Sequence, residues 1–162
     1  MPNPTGYSRI QIALHWLIAL LILTQFFSGE IIHEFSHALR DGTAGLTPLG
    51  VRAHVIAGIA ILVLALWRIA VRLKRGAPAA SEGGNKKQEL LAKIVHLALY
   101  GVMILAPLSG LAAWFGGIGI AGFVHELMKP LLIISLALHV IGTLYHQYYL
   151  KDGLLKRMMK SG

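Results

Sequence analysis

The chain has 162 residues, 56% hydrophobic and 14% charged, with no cysteine and with 15 Lys and Arg against 7 Asp and Glu, a formal net charge of +8. The lack of cysteine excludes disulfides, iron–sulfur clusters and the C-x-x-C-H attachment of a c-type haem, so any bound metal relies on His, carboxylate or Met. A mean hydropathy of +0.65 is that of a membrane protein.

Four apolar runs follow one another, at about residues 10–29, 49–71, 94–115 and 130–149, the last with room to extend back to 119. Each is near the ~20 residues that cross a hydrocarbon core as a helix. The first run is too long for the apolar region of a signal peptide. It also carries Gln11, His15 and Gln25 and lacks a small-residue cleavage site, so it reads as a retained span.

Between the first two runs, "IIHEFSHALR" (31–40) sets His33, Glu34 and His37 in the pattern H-E-x-x-H. On a helix this puts two imidazoles one turn apart on one face beside a carboxylate, the arrangement of a zinc peptidase. That reading lacks a third ligand, a fold to present a substrate strand and a span to bury the motif. Apolar Ile31, Ile32, Phe35 and Leu39 against polar His33, Glu34, His37 and Asp41 predict a short helix lying on the membrane surface within 30–48. Residues 76–87, rich in Gly, Ala and Ser, predict a mobile linker between the second and third spans. Residues 1–162 therefore read as one all-α membrane domain, a four-transmembrane-helix bundle with a short surface helix between helices 1 and 2.

Of the 15 Lys and Arg, only Arg40, Arg52 and Lys129 fall on the side opposite the termini. The positive-inside rule then puts both termini in the cytoplasm of a multi-pass protein. The net charge is a topology signal and not a nucleic-acid footprint, because no basic residue lies in a soluble module.

Five of the eight histidines sit in or near the spans: His15, His54, His96, His139 and His146. Ionisable residues in bilayer segments are costly and so mark function. His125 and His139 are 14 residues apart; at ~100° and ~1.5 Å per residue they return to within roughly 40° of one face after a climb of ~21 Å. One helix thus offers a ligand near each membrane surface, although Pro130 lies between them. His15 supplies a partner at the cytoplasmic level and His54 one at the external level. Paired neutral imidazoles are the ligands of a six-coordinate b-type haem. The small residues Gly58, Gly110, Gly142 and Ala57 would let porphyrin planes approach the helices. Depth alone leaves His139 and His146 as alternatives, since seven residues also return to almost the same face.

Five segments resemble the bacterial cytochrome b561 family, part of a wider group with the cytochrome b subunits of hydrogenase and formate dehydrogenase. They are "YSRIQIALHWL", "AHVIAGIAILVLALWRIAVRL", "HLALYGVMILAPLSG", "HELMKPLLIISLALH" and "HQYYLKDGLLKRM". The resemblance covers the four spans and the C-terminal tail and fades in 30–48 and in the linker. It implies two haem b groups ligated by His15, His54, His125 and His139, which selects His139 over His146. It also implies a hydrogen-bonding role for His96 toward a haem or quinone, and a quinone pocket near His146. Arg9 and Arg68 are candidates for pairing with haem propionates, against the plainer reading of a solvated positive belt.

The function so implied is electron transfer in the bacterial inner membrane, between superoxide on the external side and ubiquinone as substrate or bound ligand. The alternative donor is a soluble redox protein or a dehydrogenase partner. The external balance of Glu30, Glu34, Asp41 and Glu126 against Arg40, Arg52 and Lys129 gives an anion little steering. Membrane lipid is the other expected partner, with room for a homo-oligomer.

Overall fold

The computed structural model describes residues 6–76, 78 and 85–161. Most of the linker expected at 76–87 lies outside the described residues. Helix α1 runs Arg9–Arg40, α2 Leu49–Arg75, α3 Lys86–Gly116 and α4 Gly119–Tyr145. A π-helical turn, His146–Leu150, and the short helix α5, Leu154–Arg157, complete the chain. All four long helices are long and apolar enough to cross a membrane.

Local chemistry sets several helix ends. Ser8 accepts from the backbone N–H of Gln11 while the Gln11 side chain accepts from the Ser8 N–H, a capping box that starts α1. Asn85 and Gln88 repeat the device at the start of α3. The turn between α3 and α4 needs left-handed backbone at Gly117 (φ 63°). There the N–H groups of Gly117 and Ile118 return to the carbonyls of Ala113 and Ala112, closing a tight helical hairpin.

The expected surface helix between helices 1 and 2 is corrected by the structure. Residues 30–40 are not a separate element but the continuation of α1, which has 32 residues. Its length of about 48 Å exceeds the about 30 Å hydrocarbon core, so its last turns project past the membrane. The only weak point is Gly29, and one glycine costs a helix about 1 kcal/mol. Packing holds the extension in line: Phe35 is buried and its ring lies 6.3 Å from that of Trp114. Ile31 covers Gly50, where an added Cβ would stand 2.7 Å from the Ile31 Cδ1.

The helices pack in chain order, α1 on α2, α2 on α3 and α3 on α4. The core is a seam of Ile18, Ile22, Ile61, Ala65 and Met103, while large apolar side chains such as Leu20, Ile56, Leu97 and Ile141 face outward. That inversion suits lipid as the solvent. At the end that carries the termini, the Trp16 indole donates to the Met158 carbonyl (2.9 Å) and Gln11 to that of Gly76 (3.1 Å). Among the described residues, α4 brings no Cα within 8 Å of α1 or α2. The α4 backbone therefore stands off from the first helix pair, and side chains such as Leu132 and Leu136, packed against the core seam, occupy part of the gap.

Candidate functional site

Two histidine pairs bridge that gap. At the end away from the termini, His54 of α2 and His125 of α4 face each other with ring centroids 6.0 Å apart. The His125 Nδ1 lies 2.7 Å from the Ala106 carbonyl oxygen, an acceptor, so Nδ1 carries the proton and Nε2 keeps its lone pair. Gly110 makes this approach possible, since a Cβ there would stand 3.0 Å from both Cε1 and Nδ1 of His125. The His54 Nδ1 lies 2.9 Å from the Ser28 Oγ. With the single Ser28 hydroxyl proton turned to the carbonyl of Thr24 or Gln25, each 3.2 Å away, the Ser28 oxygen can accept from Nδ1–H and leave Nε2 of His54 with its lone pair.

At the terminal end, His15 of α1 and His139 of α4 also stand with ring centroids 6.0 Å apart. His96 of α3 joins them, 5.2 Å from His139, with its Nδ1 2.7 Å from the carbonyl of Ala92 in its own helix. Pro130 lies inside α4 without ending it, so one helix carries a ligand candidate to each level. The alternative His146 does not join this group; its Nδ1 is held by Asp152 at 2.5 Å, in the π-helical turn beyond α4.

Of the two arginine candidates, the structure draws Arg68 inward and leaves Arg9 exposed at the first turn of α1. Arg68 donates through Nη1 to the Gln11 carbonyl (2.7 Å) and through Nε to the Tyr100 hydroxyl (3.3 Å). Tyr7, Gln11, Arg68, Arg72 and Tyr100 line a cleft there. Near His146, the Gln147 side-chain oxygen is buried without a hydrogen-bond partner among the described residues. Sequence reading missed Ser28, Ala106, Tyr100 and Asp152. Ser28 and Asp152 are polar residues close to candidate histidines along the chain or across it, but nothing in their spacing names the partner.

The donor sets limit what can be held. Among the described residues no group of three or more His, Cys, Asp or Glu could hold a metal ion. Among the described residues His33 and His37 thus gain no third ligand, and the paired transmembrane histidines gain no carboxylate or further ligand set. A metal in these sites must bring its remaining ligands with it, as an iron porphyrin does. Metal–imidazole bonds of about 2 Å put two rings about 6 Å apart across one ion, matching both pairs. Beside them, a Cβ at Gly58 or Gly142 would meet nothing within 4 Å. The residues present thus fit a flat, metal-bearing group that two imidazoles would hold.

The family model of the prokaryotic cytochrome b561 matches residues 6–161. A protein named cytochrome b562 from Cereibacter sphaeroides is 38% identical over 99% of this chain and 99% of its own length. A probable superoxide oxidase CybB from Yersinia pestis is 29% identical over 94% of this chain and 95% of its own. Cytochrome b561 homolog 1 of Escherichia coli is 27% identical over 94% and 96%. With the match running nearly end to end and the helices carrying paired imidazoles across the bundle, this chain belongs to the prokaryotic cytochrome b561 family of multi-pass, haem b-binding membrane proteins that transfer electrons.

Proposed function

We propose that the protein, as one domain in the bacterial inner membrane, holds two haem b groups and carries electrons from superoxide outside to ubiquinone near the cytoplasmic surface. One haem would sit between His54 and His125, the other between His15 and His139. The observation that carries this reading is the equal 6.0 Å spacing of two imidazole pairs at opposite ends of α4. Haem bound there would supply a one-electron centre, held by these histidines and suited to passing electrons.

The chain's own residues do the rest. Ala106 and Ser28 fix the tautomers of the external pair, and the Arg68 guanidinium lies at the cytoplasmic level as a partner for propionates. The buried Gln147 oxygen and the His146–Asp152 pair support a quinol pocket at that end, with a hydroxyl acceptor and a proton carrier. Two superoxide ions would yield two O₂ and two electrons, and the quinone would take those electrons with two protons to become quinol. The positive-inside distribution supports cytoplasmic termini, and the resemblance to the probable superoxide oxidase supports the donor.

A soluble redox protein or dehydrogenase is the second reading of the donor. It is favoured by the mixed outer surface, where exposed Glu34, Asp41 and Glu126 offset Arg40, Arg52 and Lys129. The test mixes oxidised haem-loaded protein with potassium superoxide, with and without superoxide dismutase, and follows haem reduction in a stopped-flow spectrometer. Rapid reduction blocked by the dismutase is the expected result. Haems that stay oxidised with superoxide, yet reduce with quinol, would move the donor to a protein partner.

A further inference from the structure

Electron transfer through the bundle leaves one motif without a role: His33 and His37 at the projecting end of α1. Their Nε2 atoms are 3.3 Å apart and their ring centroids 4.5 Å. Both side chains are exposed, whereas Phe35 midway between them is buried against Trp114. At ~100° per residue, positions two before and two after Phe35 fall about 160° from it in opposite senses, hence about 40° from each other. Burying Phe35 therefore turns both imidazoles outward on one stripe.

We propose that His33 and His37 form a bidentate site for a divalent transition ion of the Zn²⁺ and Cu²⁺ class on the face opposite the termini. Two nitrogens bonded at about 2 Å to a tetrahedral ion stand about 3.3 Å apart, the separation this helix already holds. The donor set is two imidazoles without thiolate, which suits zinc, copper or nickel and not the oxygen-seeking calcium or magnesium. No third His, Cys, Asp or Glu joins the pair among the described residues, so water completes the coordination and the ion exchanges more readily than at a four-ligand structural site. His37 also lies in the last turn of α1, where the helix dipole favours a cation. This site is separate from the haem ligands and does not depend on which donor feeds them.

The test is calorimetric titration of ZnCl₂ into haem-loaded, detergent-purified protein, with MgCl₂ as the parallel probe. The wild type is expected to bind one more Zn²⁺ than the doubly substituted His33→Asn, His37→Asn protein, and neither to bind Mg²⁺ at that site. Each single substitution is expected to weaken binding about 100-fold, because the second bond is intramolecular on a rigid helix. A register variant, His37→Asn with Ala38→His, keeps the histidine count but separates the rings around the helix, and it is expected to lose the site. The haem spectrum of each sample shows that the bundle is intact. Equal Zn²⁺ binding by the wild type and the double variant, or retention by the register variant, would overturn the proposal.

Discussion

The His125 imidazole is oriented by a single backbone atom: its Nδ1 sits 2.7 Å from the carbonyl oxygen of Ala106 on the adjacent helix. Two features allow the bond. The tight turn at Gly117 folds α4 back along α3, and Gly110 leaves room for the ring.

That room can be removed. With Gly110→Val, the added atoms would overlap the His125 ring, whose Cε1 and Nδ1 already lie 3.0 Å from the position of a Cβ. The haem content, measured by pyridine haemochrome, is expected to fall from about two per chain to about one. Gly45→Ala, which adds a methyl where nothing lies within 4 Å, is the control and is expected to keep full content.

Ligand deletion separates the three histidines at the terminal end. His15→Ala and His139→Ala are each expected to lose the same haem, and His54→Ala the other one. His96→Ala is expected to keep both, with a shifted potential only for the haem at the end that carries the termini. Loss of a haem in His96→Ala with retention in His15→Ala would exchange their roles, since His96 stands 5.2 Å from His139 and His15 6.0 Å.

Ser28→Ala removes the acceptor of the His54 Nδ1–H. If His54 ligates haem iron, its imidazole would then donate less, the oxidised state would lose stability and the reduction potential of that haem would rise. A hydrogen bond worth about 1 kcal/mol corresponds to about 40 mV for one electron. Redox titration of the visible spectrum should show this rise for one haem and no change for the other.

Asp152→Asn removes the carboxylate charge from the 2.5 Å pairing with His146 at nearly constant shape. If this pair carries protons to the quinone, quinol formation should slow by roughly 100-fold, the lower range of general acid–base contributions. Haem content and potentials should stay as in the wild type. An unchanged turnover rate would remove His146 from the quinone chemistry.

The spans were legible in the sequence because the cost of placing polar groups in hydrocarbon acts on every residue of a long run. Helical rise put His15 and His54 at the levels of one α4 histidine each, with His139 and His146 left as alternatives, and the five matching segments pointed to the family and through it to His139. Hydropathy says less about where a helix stops. Residues 30–40 read as a separate amphipathic element, yet Phe35 against Trp114 and Ile31 over Gly50 carry α1 through them.

Sequence alone therefore determined the membrane class and the number of spans, since these depend on local composition and a fixed helical period. Tertiary structure decided the stand-off of α4 from the first helix pair, the His125 tautomer set by Ala106, the inward course of Arg68 and the outward stripe of His33 and His37. Each of these depends on atoms distant in the chain, brought together only when the helices pack in order and α3 turns back at Gly117.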